Sequence, residues 1–390
     1  MRPTAIVRPA ATALLVLLMA APAHAIPAFA RKYQFSCSTC HAPVPRLKAF
    51  GEAFAARGFR LEDPSQEPTR AVIDTGDPTL RLLREFPFAA RIDGFASWKP
   101  DATAEADVEW PWTLKFLSGA PISDSISYYF YGILEKGGNL ALEDAFLQFN
   151  APLKMPLDLI VGQFQVSDPL FKRELRLERF DYQIYKTRIG RAAVDLTYDR
   201  GVMVMATLPG GLETVLQVVN GHGFEPADEE DNFDGDVLKN FGLRVAHALG
   251  DRGRVGAYGY WGKQRGETAD NRTWYFGPDL SVDLGEQWQL NAQYLERRDD
   301  NPWFVEAQGS DVQTRGGFAE LHFYPLGRDG RWVLSGLYNK VASDEPEARW
   351  ESVSITGNRL LARNIRLMLE AGREIERKAG RLTIGFIAAF

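Results

Sequence analysis

An alternation of apolar residues with other residues recurs from Phe86 to the end of the chain, and it constrains the fold more than any other sequence feature. In the final segment, Leu382, Ile384 and Phe386 occupy every second position on the way to Phe390. This period places successive side chains on opposite faces of a β-strand. A series of such segments, separated by turn residues, is typical of a transmembrane β-barrel, although a soluble β-sandwich or propeller has the same period.

The lengths of the connections favour the barrel. The segments with strand character are 86–98, 109–117, 125–134, 140–150, 157–164, 201–208, 212–219, 239–249, 254–263, 272–283, 287–297, 313–324, 331–341, 349–360, 363–374 and 381–390. If the last strand ends in the periplasm, nearly every short connection is periplasmic and nearly every long one is extracellular, as in outer-membrane barrels. The sequence therefore predicts an all-β fold, a transmembrane antiparallel β-barrel of about 16 strands over residues 86–390.

The first 25 residues have the features of a secretory signal peptide. Arg2 and Arg8 precede an apolar stretch over residues 10–21, and Ala23-His24-Ala25 is a small-x-small cleavage site. The apolar stretch is too short to span a membrane, and no other stretch approaches the length of a transmembrane helix. We expect export to the periplasm and a mature chain without a helical membrane span. The net charge of −6 argues against a general nucleic-acid-binding surface.

The only two cysteines of the chain lie in the sequence Cys37-Ser-Thr-Cys40-His41. This C-x-x-C-H pattern is the attachment signature of a c-type haem. The two thiols add to the vinyl groups of the porphyrin, and the adjacent imidazole reaches the iron. A structural disulfide is the alternative, whereas a zinc site would need ligands that no second cysteine pair supplies. We therefore expect one covalently bound haem c, with Cys37 and Cys40 as thioethers and His41 as the proximal ligand.

A short helix is expected after the motif, from Pro45 to Gly58. Leu47, Phe50 and Phe54 would share one face of this helix and pack against the haem or form a small core. The monohaem cytochrome c segment, residues 26–60, is too small to bury a haem alone, so it must lean on the rest of the protein. Residues 61–85, which follow it, are expected to be a linker.

The sixth ligand of the haem iron is less constrained. Between His41 and Met155 the chain has no Met or His. By strand parity His322 faces the lumen, as do Met203 and Met205, whereas Met155 falls in a periplasmic turn. These four residues are the candidate distal ligands, together with a nitrogen such as that of Lys48 or of the new N-terminus. A five-coordinate haem is the other option.

Two long connections carry unusual charge. The connection 165–200 is densely charged with both signs, and it either folds into the barrel and narrows the lumen or is a solvated outer loop. The loop 220–238 has seven negative charges within residues 225–236. It is either a solvated loop or an acidic rim that concentrates cations such as Fe²⁺ or Ca²⁺.

The N-terminal segment resembles the fused monohaem cytochrome–porins, a family whose studied members are outer-membrane iron oxidases. The motifs that carry the resemblance are Pro27-x-Phe-Ala-Arg31, Cys37-x-x-Cys-His41, Pro45-x-Leu-x-x-Phe-Gly51, Phe54 and Gly58-Phe59. Over the remainder the similarity is architectural, a barrel of about sixteen strands that ends in Phe. The resemblance implies a haem at or inside the barrel mouth that passes electrons across the outer membrane.

The leading hypothesis is an electron conduit in the outer membrane of a Gram-negative bacterium, with the haem segment on the periplasmic side or in the lumen. An extracellular donor, with Fe(II) as the candidate, would reduce the haem, and a periplasmic cytochrome or copper protein would accept the electron. The protein would then be an Fe(II):cytochrome oxidoreductase or a non-enzymatic electron carrier. The alternatives are a diffusion porin with a haem-bearing plug and a soluble periplasmic cytochrome with a β-domain.

Overall fold

The computed structural model describes residues 28–68, 72–77, 79–80, 82–84, 86–100, 102–103, 105–135, 138–306 and 311–390. The predicted signal peptide lies outside these residues. Helices α1 (Ala28–Tyr33), α2 (Cys37–Cys40) and α3 (Ala49–Ala56) come first, followed by a 3₁₀ turn (Pro64–Gln66) and the paired strands β1 (Val72–Ile73) and β2 (Leu82–Leu83). In the described part of the chain, no helix is long and apolar enough to cross a membrane.

Sixteen further strands form a closed antiparallel barrel, which confirms the predicted fold class. They are β3 (Phe88–Trp98), β4 (Ala106–Pro121), β5 (Ile126–Glu135), β6 (Leu140–Asn150), β7 (Asp158–Gln165), β8 (Tyr198–Leu208), β9 (Leu212–Val219), β10 (Asn240–Ala248), β11 (Gly253–Arg265), β12 (Asp270–Leu284), β13 (Trp288–Asp299), β14 (Val312–Phe323), β15 (Trp332–Ser343), β16 (Trp350–Ala362), β17 (Ile365–Glu374) and β18 (Ala379–Ala389). Each strand pairs with the next in sequence, and β18 pairs with β3 to close the barrel. At this seam Ala90 and Phe390 exchange two backbone hydrogen bonds of 2.7 and 2.8 Å.

The two faces of the wall differ as a lipid environment requires. On β14, Glu320 and His322 are fully buried and face the interior, whereas Leu321 between them is 39% exposed on the outside. Leu334 and Ile355 on neighbouring strands are also exposed. An apolar exterior with a polar interior is the reverse of a soluble β-protein and is typical of a membrane barrel.

The two ends of the barrel differ in the same way as predicted from the sequence. At one end the connections are short, and they include residues 122–125, 209–211, 285–287 and 363–364. At the other end lie the long connections 166–197, 220–239 and 300–311. We call these the short-turn end and the long-loop end.

The connection 166–197, here called the inner loop, folds into the lumen. Leu177, Ile184 and Tyr185 of this loop are fully buried, and a short helix, α4 (Gln183–Lys186), lies within it. The ring of Tyr182 stacks on Phe318 of the wall, with the ring centroids 3.8 Å apart. Of the two interpretations of this charged segment, the one that places it inside the barrel is therefore confirmed.

A buried arginine of the wall holds the inner loop in place. The Arg297 guanidinium donates to the carbonyl oxygens of Thr187, at 2.6 Å, and Val194, at 3.1 Å. It also forms a two-pronged ion pair with Asp299, at 2.6 and 3.0 Å, and its side chain is fully buried. A buried carbonyl that loses its donor carries its full desolvation cost.

We expect Arg297→Met to loosen the inner loop. The substitution removes the guanidinium that donates to both loop carbonyls and leaves Asp299 without its charged partner, and removing one partner of a buried ion pair costs about 3–5 kcal/mol. Faster proteolysis within residues 166–197 and a larger single-channel conductance in planar bilayers should follow. Arg298→Met is the matched control because Arg298 is exposed and pairs with Asp311 instead. Equal behaviour of the two variants, both migrating as folded barrels, would contradict this role of Arg297.

Candidate functional site

The C-x-x-C-H motif forms a single helical turn. Ser36 caps α2, since its Oγ accepts a hydrogen bond from the Ser38 amide at 3.3 Å, and the His41 amide donates to the Cys37 carbonyl at 2.8 Å. Three-residue spacing in a helix places Cys37 and Cys40 on the same side. Both thiols are unpaired and half-buried. The turn therefore presents two reduced thiols side by side, as attachment to two vinyl groups requires.

The imidazole of His41 is held in the tautomer that a metal ligand needs. Its Nδ1 lies 3.0 Å from the Pro45 carbonyl oxygen and 3.3 Å from that of Arg46. Because a carbonyl only accepts, Nδ1 carries the proton and the Nε2 lone pair is available. Within the described residues, Nε2 has no hydrogen-bond partner. Burial lowers the pKa of His41, so the ring is neutral at neutral pH. Donation from the second ring nitrogen to a carbonyl is the usual support of a metal-bound histidine.

Helix α3 packs directly on this turn. A Cβ added at Gly51 would lie 2.5 Å from the Cys40 carbonyl oxygen, so only glycine permits the approach. Phe54 is buried among Tyr33 and Phe59, whereas Phe50 is 40% exposed and Leu47 is half-buried. The helix is shorter than the predicted one from Pro45 to Gly58, because α3 begins at Ala49, so Leu47 precedes it and does not share its face with Phe50 and Phe54. Phe54 is a core residue, whereas Phe50 and Leu47 remain accessible to a haem.

Residues 28–68, here called the N-terminal module, dock against the barrel wall at the short-turn end. Arg46 donates to Gln289 Oε1 at 2.6 and 2.9 Å and forms an ion pair with Glu320 at 3.3 Å. The Phe59 ring lies against Tyr129 of β5, with the centroids 5.7 Å apart. Further contacts with this end join Lys48 to Asp329, Arg60 to Ile126 and Ala56 to Asn150. The small module thus leans on the barrel, as its size requires.

Glu320 connects the module, the wall and the inner loop. Its Oε1 accepts from the Tyr182 hydroxyl of the inner loop at 2.8 Å. Its Oε2 accepts from Asn291 at 2.7 Å and lies 2.8 Å from His322 Nε2 and 3.3 Å from Arg46 Nη1. Strand parity predicted that His322 faces the lumen, and Glu320, two residues earlier on the same strand, shares that face. The sequence offered no signal that pairs Arg46 with them.

The candidate distal ligands are dispersed. Both ring nitrogens of His322 are engaged, because Nδ1 lies 2.8 Å from Ser335 Oγ and Nε2 contacts Glu320. Met203 and Met205 pack on the apolar cluster that the inner loop forms with the wall. Met155 is 41% exposed in the turn after β6. A distal role for any of the four remains a prediction, and for His322 it would require the loss of an existing hydrogen bond.

We expect Gly51→Ala to weaken haem attachment. The new methyl group would meet the Cys40 carbonyl oxygen, and a forced shift in a tightly packed region costs about 1–3 kcal/mol. The haem stain per folded barrel, read on a denaturing gel, should fall, and amide exchange across residues 37–56 should accelerate. Gly336→Ala is the control because no atom lies within 4 Å of a Cβ added there. Full haem content with unchanged exchange would refute this packing constraint.

The cysteine thiols should be sluggish nucleophiles in haem-free protein. Burial raises the pKa of both Cys37 and Cys40 above the ordinary 9.0. Since the thiolate is the reactive form, iodoacetamide labelling should reach half of its maximal rate above pH 9.0 in the folded protein and near pH 9.0 in urea. A folded-state midpoint at or below that of the unfolded control would contradict the expected environment.

No protein-family model matches the chain, and no curated protein matches it. Among solved structures it is similar to an anion-selective porin from Comamonas acidovorans, with a TM-score of 0.57 and 10% identity over 78% of this chain and 99% of that one. OmpF of Salmonella typhi, solved with daunomycin, gives 0.56 and 10% over 80% and 98%. A loop-deletion mutant of OmpT from Vibrio cholerae gives 0.54 and 13% over 78% and 99%. At these identities the likeness establishes the fold, a porin-like barrel of sixteen strands.

Proposed function

We propose that this protein transfers electrons through the outer membrane. A haem c on Cys37, Cys40 and His41 would take electrons from an extracellular donor, Fe(II) being the candidate, and give them to a periplasmic cytochrome or copper protein. One observation carries the proposal: a C-x-x-C-H turn with a correctly held histidine is built into one end of a porin-like barrel.

The residues present suit a haem. Two reduced thiols lie one turn apart, and the His41 Nε2 is available beside them. Leu47 and Phe50 supply accessible apolar surface near the turn, whereas Phe54 supports the module from within. When bound, the haem supplies a one-electron centre whose iron alternates between the ferric and ferrous states. The chain contributes the proximal ligand and its orientation, and the Nδ1 hydrogen bond makes the imidazole more basic.

The inner loop and the N-terminal module occupy part of the barrel interior, which would restrict the passage of solutes and supports electrons as the cargo. The inner loop forms a buried apolar core with the wall, and the N-terminal module occupies the short-turn end. Cys37, Cys40 and His41 would hold the group that takes one electron from Fe(II), which would become Fe(III), and that gives this electron to the periplasmic acceptor. Short turns in outer-membrane barrels are periplasmic, which would put the module on the side of the acceptor.

A diffusion porin with a haem-bearing plug is the second candidate, and the likeness to porins favours it. In that case the N-terminal module would obstruct or sense rather than conduct. A soluble periplasmic cytochrome fits less well, because the outer face of the barrel exposes apolar side chains.

Visible spectroscopy on the purified full-length protein in detergent tests the proposal. We expect anaerobic Fe(II) to convert the ferric haem spectrum to the ferrous one, and the reduced protein to be reoxidised by a small periplasmic cytochrome. A haem that stays ferric at potentials where transfer is permitted, in a protein that conducts ions through open channels, would instead support the diffusion porin. Cys40→Ala should abolish covalent haem staining, and Ser38→Ala, in the same turn, should retain it. Covalent haem in Cys40→Ala would refute the attachment site.

A further inference from the structure

We propose that the connection 220–239 at the long-loop end carries a divalent-cation site formed by His222, Asp234 and Asp236. One nitrogen or oxygen of each side chain lies within 4.8 Å of the others. The site is at the opposite end of the barrel from the N-terminal module. The site would bind one ion through three specific side chains, whereas an acidic rim would only raise the local concentration of cations.

The distances within the cluster suit an ion between the side chains better than direct hydrogen bonds. His222 Nε2 lies 3.6 Å from Asp234 Oδ1 and 3.9 Å from Asp236 Oδ2, beyond hydrogen-bonding range. Ligands at about 2.1 Å from one metal ion lie roughly 3.0–3.7 Å from each other, close to these separations.

The imidazole nitrogen that faces the two carboxylates is an unpaired buried atom. His222 Nε2 is inaccessible to solvent, and within the described residues it has no hydrogen-bond partner. A buried polar atom without a hydrogen-bond partner lowers the stability of the folded protein by about 1–3 kcal/mol. A cation coordinated by Nε2 would remove that cost, which makes this atom an observation independent of the acidic residues around it.

The surrounding contacts hold the ligands from both sides of the loop. Arg200 donates to the carbonyl oxygen of Gly223, next to His222, at 3.2 Å. The Arg265 amide of β11 donates to Asp236 Oδ2 at 2.8 Å. Lys239 pairs with Asp234 through Oδ2, whereas Oδ1, which accepts from the Asp236 amide at 3.1 Å, lies 3.6 Å from the imidazole nitrogen.

The donor set indicates the class of ion. One imidazole with two carboxylates suits first-row divalent ions such as Fe²⁺, Mn²⁺ and Co²⁺ rather than soft ions, which prefer thiolates. Asp234 and Asp236 are half-buried, whereas the other carboxylates of the loop are exposed. These exposed residues are Glu225, Asp228, Glu229, Glu230 and Asp231. They would raise the local cation concentration without binding an ion themselves.

A second group of potential ligands has one carboxylate already occupied by hydrogen bonds within the protein. It consists of Glu178, Glu320 and His322. Glu320 is already saturated by donors from Tyr182, Asn291, His322 and Arg46. This buried group therefore does not compete as a metal site.

Equilibrium dialysis of the full-length protein against Co(II), with metal analysis, tests the site. We expect one tightly bound Co(II) per chain and at least a ten-fold weaker affinity in Asp234→Asn/Asp236→Asn. Glu229→Gln/Glu230→Gln is the matched control because it removes the same charge from exposed positions of the same loop. His222→Gln, which removes the imidazole ligand, should also weaken binding ten-fold. Each variant is accepted only if it migrates as a folded, heat-modifiable barrel.

Equal weakening in the cluster and control variants, or no stoichiometric Co(II) in the unsubstituted protein, would overturn the site. The assignment of Fe(II) as the physiological ion rests on the proposed function. A second measurement distinguishes a failure of the cation site from a failure of the electron-transfer proposal. At limiting Fe(II), haem reduction should be several-fold slower in His222→Gln, while reduction by dithionite should be unchanged. Haem reduction by Fe(II) without Co(II) binding would refute this site alone. Co(II) binding with a haem that Fe(II) cannot reduce would refute only the electron-transfer proposal.

Discussion

The pairing of β18 with β3 is the constraint on which the rest of the structure depends. In a lipid environment an open sheet edge would leave backbone groups without partners, so the sheet must close. Closure encloses an interior lined by polar side chains, and these need partners too. The inner loop and the N-terminal module supply them, and at Glu320 both meet the wall through Tyr182 and Arg46.

The strands could be predicted because lipid and lumen impose opposite demands on alternate residues. Residues 140–150 and 212–219, for example, are strands with the predicted bounds. The position of the inner loop could not be predicted, because its charge is typical of solvated segments. In the structure this charge is neutralised locally, since Arg173 and Arg176 both pair with Asp181. Such pairing depends on a loop conformation that composition does not reveal.

The candidate haem site could also be predicted from the sequence only in part. The residue types and spacing of Cys37, Cys40 and His41 were sufficient to predict an attachment turn, because the chemistry requires that local pattern. The support of the turn was not predictable. The carbonyl of Pro45 that fixes the histidine is a backbone group, and the residues that receive Arg46 lie more than two hundred positions away.

The N-terminal module also contacts the seam of the barrel. Arg31 donates to the backbone carbonyl of Phe88, the first residue of β3, and the next residues of that strand pair with the C-terminus through Phe390. Arg46 and Lys48 bind residues of β13, β14 and the turn after β14, so part of the docking surface exists only after these late strands have been added. The beginning of the chain, although made first, can be fully seated only when these strands are in place, so a fully seated module marks a late stage of barrel assembly.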